Sequence, residues 1–162
     1  MLHEWLARPH VAEWWGDPPS FSDVEQEFAP ALDGSSTFQV FIALRHGEPI
    51  GFMQSYVPSA FHDEGWWLDE HDPAVRGVDV LLADGDRLGR GLGSAMIGAF
   101  VDRLFEDPAV ARVQADPSPD NARAIRCYTR VGFRPWGEVE TPDGRALLMY
   151  ADRKTRAEGR SR

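Results

Sequence analysis

The chain has 162 residues, 43% hydrophobic and 27% charged, which is the balance of one folded globular domain and excludes a disordered or fibrous protein. Its formal charge is −9, and because five basic residues against Glu158 give positions 153 to 162 a charge of +4, residues 1 to 152 carry −13. A body this acidic repels nucleic-acid phosphates and draws in cations, so a polycationic small molecule fits it better than DNA or RNA.

In chain order, Trp5, Leu6, Val11, Trp14 and Trp15 are spaced for two short helices around Pro9. Ser22 with Glu25 reads as a capping box for a helix carrying Val24, Phe28 and Leu32. Phe38–Leu44 and Pro49–Val57 are predicted to form a hairpin around His46-Gly47-Glu48. A loop from Pro58 to Pro73, rich in acids and aromatics, is long enough to be functional. Val75–Leu82 reads as a strand, Gly85–Gly93 as a Gly-rich turn and Ser94–Phe105 as an amphipathic helix. Val110–Ala115 is a predicted strand, Pro119–Val131 a helix ended by Gly132, and Phe133–Val139 with Arg145–Tyr150 a closing pair of strands. These elements predict a single mixed α/β domain over residues 1–152 and a basic, flexible tail over 153–162. No apolar run approaches the roughly 20 residues needed to span a bilayer, and the N-terminus lacks a signal-peptide pattern. A lone Cys127 and scattered histidines complete the expectation of a cytoplasmic protein with no disulfide, no metal and no membrane contact.

Two stretches carry the chemistry. In Leu88-Gly89-Arg90-Gly91-Leu92-Gly93-Ser94, between a predicted strand and helix, alternate glycines let the backbone approach a ligand, and helix-start amides favour an anion such as a pyrophosphate. No Gly-Lys-Ser/Thr follows, so it is not a P-loop, and its G-x-G-x-G spacing differs from the dinucleotide fingerprint. The second stretch runs from Asp116 through Asn121, Ala124 and Tyr128 to Gly132-Phe133. Together they resemble the GNAT superfamily of N-acetyltransferases. Glu13-Trp14-Trp15-Gly16, Gly47-Glu48-Pro49-Ile50-Gly51, Gly65-Trp66-Trp67, Val75-Arg76-Gly77-Val78-Asp79 and Thr141-Pro142-Asp143-Gly144 further resemble its aminoglycoside 6′-N-acetyltransferases of the Ib type.

The resemblance implies a mostly antiparallel sheet with helices on both faces. The family usually has a strand ahead of the first helix, which this chain either lacks or has upstream of its given start. It implies acetyl-CoA as co-substrate, held by Leu88, Gly89, Arg90, Gly91, Gly93 and Ser94, with Asn121 near the pantetheine arm. A backbone N–H at Val80 or Leu81 would meet the oxyanion. Tyr128 would protonate the leaving thiolate, and Asp79 would receive the substrate ammonium. Asp79's position between Val78 and Val80 puts it on the opposite strand face from both. Trp66 and Trp67, with Asp63, Glu64, Asp69 and Glu70, form the candidate substrate wall, aided by Asp116 and Asp143. The alternatives are a siderophore or lysine-type N-acyltransferase of the same fold and a non-catalytic acyl-CoA-binding module. Oligomeric state is not legible.

Overall fold

The computed structural model describes residues 1–154. Residues 155–162, most of the expected basic tail, lie outside the described residues. Arg153, assigned to that tail, is instead tied to the domain: its guanidinium donates to the carbonyls of Phe105, Asp107 and Val110.

Two short helices, α1 (Leu2–Leu6) and α2 (Pro9–Trp15), open the chain, with Pro9 at the start of the second, where its missing N–H costs nothing. Helix α3 (Phe21–Asp33) begins two residues earlier than the sequence predicts. Ser20 and Asp23, not Ser22 and Glu25, form the capping box: the Asp23 amide donates to Ser20 Oγ at 3.2 Å and the Ser20 amide to Asp23 Oδ2 at 2.9 Å. Both serines carry an acid three residues on, and the helix takes the one that follows directly on Pro18-Pro19.

Strands β1 (Phe38–Arg45) and β2 (Glu48–Tyr56) form the expected hairpin. Its two-residue turn, His46 (φ 52) and Gly47 (φ 82), has positive φ at both positions, as the strand twist demands. A 3₁₀ turn over Pro58–Glu64 breaks the long loop. Strand β3 (Val75–Leu82) matches the prediction. Helix α4 spans Leu92–Leu104, β4 only Arg112–Ala115, α5 Ala122–Val131, β5 Arg134–Thr141 and β6 Gly144–Asp152. Val110 is buried but sits in a turn, its amide bonded to Asp107 O, so β4 starts later than predicted. Helix α5 likewise starts late because Asn121 caps it, Oδ1 accepting from the Ala124 amide at 3.0 Å.

The sheet runs β1-β2-β3-β4-β6-β5, and only β3 with β4 is parallel. Helices cover both faces. On one, Met96, Ile97, Phe100 and Tyr128 from α4 and α5 pack on Met53, Val78 and Met149. On the other, Trp5, Val11, Val24 and Phe28 from α1–α3 pack on Phe52 and Leu81. Arg8 Nη1 donates to Ala83 O at 2.6 Å, and His10 Nε2 lies 2.9 Å from Leu82 O, fixing the first helices to the end of β3.

Candidate active site

Sheet register assembles the centre. Gln54 on β2 is the partner of Asp79 on β3, so both side chains leave one face, and Gln54 Nε2 donates to Asp79 Oδ2 at 2.8 Å. Val78 and Val80 pack into the α4–α5 core, which turns Asp79 toward α1–α3 as strand alternation requires. Burial raises the Asp79 carboxyl to about 6, with the Gln54 hydrogen bond opposing and the charge of Asp143 adding to the rise. Asp116, just beyond β4, is pushed well above the usual carboxylate range by burial and by the charges of Asp79 and Asp143.

These groups line one cleft of about 800 Å³. Its acids are Asp17, Glu27, Glu64, Asp79, Asp116 and Asp143, against one base, Arg145, which itself pairs with Glu138 at 3.2 Å. Trp14 and Trp15 of α2 and Trp66 and Trp67 of the loop contribute indole walls, the latter two with ring centroids 5.7 Å apart. Neither Trp66 nor Trp67 is a core residue; both are half-buried. Of the loop acids expected beside them, only Glu64 reaches the cleft. Glu70 lies away from the cleft, its carboxylate accepting from the Asp72 amide at 3.0 Å and facing Arg112 and Tyr150, and Asp63 and Asp69 are solvent-exposed outside it.

Tyr128 is at once a core residue, its ring 5.1 Å from that of Phe133, and a lining residue of the cleft. Burial, then the charges of Asp79 and Asp116, holds its phenol well above the usual value. Tyr56 is raised in the same way and lies against Gly77, where an added Cβ would fall 2.2 Å from its ring. Gln54, Tyr56 and Glu27 went unnoticed in the sequence. The available signal for Gln54 was its place as a polar residue within Gly51-Phe52-Met53-Gln54.

Leu81 and the loop Leu88–Ser94 do not line this cleft. The loop forms a second region at the start of α4. Gly91 (φ 82) is the N-cap of this 13-residue helix, Gly89 (φ 73) precedes it, and an added Cβ at either meets nothing within 4 Å. The Ser94 hydroxyl is shielded from solvent and has no hydrogen-bond partner among the described residues. Between the two regions β3 and β4 part: their ladder ends at Gly77 with Gln114, while β3 runs on to Leu82. One edge of Val78–Leu82 therefore offers backbone groups with no strand partner. An anion-favouring helix start, an unpaired strand edge and an acidic cleft fit a phosphate-bearing thioester meeting a cationic acceptor.

Comparison with known proteins agrees with this geometry. Residues 1–141 match the model of the acetyltransferase (GNAT) domain. The chain is 48% identical to an aminoglycoside N(6′)-acetyltransferase type 1 of Klebsiella pneumoniae, over 95% of this chain and 78% of that protein. It is 27% identical to a lysine N-acyltransferase of Mycobacterium tuberculosis, over 97% of this chain and 74% of that one. Its fold superposes on the crystal structure of aminoglycoside acetyltransferase AAC(6′)-Ib with coenzyme A and kanamycin at a TM-score of 0.93, with 47% identity, covering 99% of this chain and 92% of that one. The chain belongs to the GNAT acetyltransferase family.

Proposed function

We infer that this protein transfers the acetyl group of acetyl-CoA to the 6′-amine of aminoglycoside antibiotics, and so confers resistance to them, with residues 1–152 as one catalytic domain acting in the cytoplasm. The observation that carries the reading is the cleft: five further carboxylates and four indoles around Asp79, within reach of the same strand that parts from β4. A polycationic sugar satisfies both its charge and its flat walls. The Klebsiella pneumoniae relative and the AAC(6′)-Ib structure support the same substrate class, and the coenzyme A in that structure supports the co-substrate, while the more distant lysine N-acyltransferase keeps the alternative in view.

Acetyl-CoA supplies an activated acyl carbon and a thiolate leaving group. Gly89, Gly91 and Gly93 with the first amides of α4 hold its pyrophosphate, and the free edge of Val78–Leu82 takes its arm and, at Val80 or Leu81, the developing oxyanion. Asp79 receives the substrate ammonium. An ordinary aspartate, at about 3.9, is a poor base for a lysine-like ammonium at about 10.4. Raising Asp79 from 3.8 to about 6 makes that transfer less uphill by about 3 kcal/mol. The freed amine attacks the carbonyl carbon, the C–S bond breaks, and the thiolate takes the proton of Tyr128, while the second proton that the acylated nitrogen sheds to become an amide restores the Tyr128 phenol, the form its buried surroundings favour. Asp116, Asp143, Glu64 and Glu27 hold the remaining ammonium groups, and Trp66 and Trp67 the sugar faces. Asn121, occupied as a helix cap, orients α5 and with it Tyr128.

The test is thiol release from acetyl-CoA with kanamycin against lysine and hydroxylysine, with the position of acetylation read by NMR. Turnover of kanamycin at the 6′-amine with little on lysine or hydroxylysine is expected. Preferential turnover of lysine-type amines favours the acyltransferase alternative, and binding without turnover the non-catalytic one.

A further inference from the structure

Trp67 sits at φ 53, a backbone region that bulky residues avoid, so something outside the residue must hold it there. His62 does. Its Nε2 lies 3.0 Å from Trp67 O and 2.9 Å from Glu70 O, and since both neighbours are carbonyl acceptors, Nε2 carries the hydrogen and donates. The His71 ring packs edge-on against His62 at 5.0 Å, fixing the imidazole from behind. At the other end of the residue, the Trp67 indole N–H donates to the Tyr56 phenol, and Tyr56 rests on Gly77, two residues before Asp79.

We propose that His62 is a positioning residue for the amine substrate: by bridging the carbonyls of Trp67 and Glu70 it fixes the strained backbone that presents the Trp67 indole as a wall of the cleft. The ligand it serves is a hydroxylated, polycationic ring whose flat face lies on that indole. The proposal rests on the functional reading above. The glycine loop assigned to the pyrophosphate lies outside this cleft, and His62 is not among the residues that line it, so the bridge should bear on the amine substrate far more than on acetyl-CoA.

The experiment is steady-state kinetics with kanamycin and acetyl-CoA varied separately, on the parent chain, His62→Leu, His62→Gln, Trp67→Ala and the double variant Trp67→Ala/His62→Leu. His62→Leu is expected to raise KM for kanamycin about tenfold, the scale of one lost hydrogen bond. Its kcat and its KM for acetyl-CoA should stay within about twofold of the parent. His62→Gln, whose amide N–H reaches the place of Nε2, should recover most of the affinity. In the Trp67→Ala background, His62→Leu should add nothing, because the wall it positions is gone. If His62→Leu fails to fold, His62→Asn takes its place, since its shorter amide falls short of the two carbonyls. An unchanged kanamycin KM, a parallel rise in acetyl-CoA KM, or full additivity with Trp67→Ala each overturns the proposal. Absence of kanamycin turnover by the parent chain overturns the functional reading instead, and this role with it.

Discussion

Asp79→Asn separates function from stability, and the structure fixes the sign of both. Asparagine keeps the shape and can still accept the Gln54 Nε2 hydrogen bond that now reaches Asp79 Oδ2 at 2.8 Å. It cannot take a proton from an ammonium, so kcat and kcat/KM should fall together, by about 10²-fold or more, the scale of a lost acid–base group. In the parent chain kcat/KM should decline as pH falls through about 6, where Asp79 becomes protonated, and the variant should lose that limb. Stability moves the other way. With its carboxyl at about 6 in the fold against 3.8 unfolded, the native state binds more protons between those values, so ionised Asp79 destabilises the protein above about 6. The full shift is worth about 3 kcal/mol, and because the cleft admits water about 1–2 kcal/mol is the working figure. Asp79→Asn should therefore raise Tm by about 3–6 °C near pH 7, a gain that shrinks on acidification and is gone below about pH 4, where Asp79 is neutral in both states. Thermal unfolding followed by circular dichroism at several pH values, beside initial rates of thiol release, measures both. An active variant, or one less stable than the parent near pH 7, refutes the assignment.

Three further outcomes are expected. Tyr128→Phe should cut kcat about 10²-fold with acetyl-CoA binding intact, measured by single-turnover kinetics and calorimetry, because it removes only the proton the thiolate needs. Gly91→Asp puts a carboxylate at an open N-cap, where it suits the helix but repels a pyrophosphate, so KM for acetyl-CoA should rise about tenfold or more over that of Gly91→Asn, with equal Tm. Raising salt should increase KM for kanamycin more than for a monoamine, since a Debye length of about 8 Å at physiological ionic strength leaves short contacts but screens the field of the acidic cleft.

Periodicity and turn chemistry made most elements legible, because they are local properties. The β3 range needed nothing beyond Val75-Arg76-Gly77-Val78-Asp79-Val80-Leu81-Leu82, and the hairpin was legible from His46-Gly47-Glu48, although Glu48 pairs with Arg45 and leaves His46-Gly47 as the turn. The motif spacing from the glycine loop to Gly132-Phe133 was likewise enough for the family, and strand alternation enough to set Asp79 apart from its neighbours. Capping was harder, since Ser20 and Ser22 offer the same pattern and only the realised hydrogen bonds choose between them.

What no reading of the chain supplied was which residues meet. Gln54 and Asp79 are 25 positions apart and become partners only through the register of β2 on β3. Glu64 and Glu70 look alike in the same acidic loop, yet only the first lines the cleft, while the second faces Arg112 and Tyr150. Burial shifts the acids in the same way: composition records how many carboxylates there are, but how far Asp79 and Asp116 rise depends on the water excluded when α1–α3 close over the sheet. Sequence by itself determined the elements, the family and the charge, which are sums and patterns along one dimension. The tertiary structure alone decided contacts, proximity and dielectric environment, because desolvation and Coulomb energy depend on distances that the order of residues does not contain.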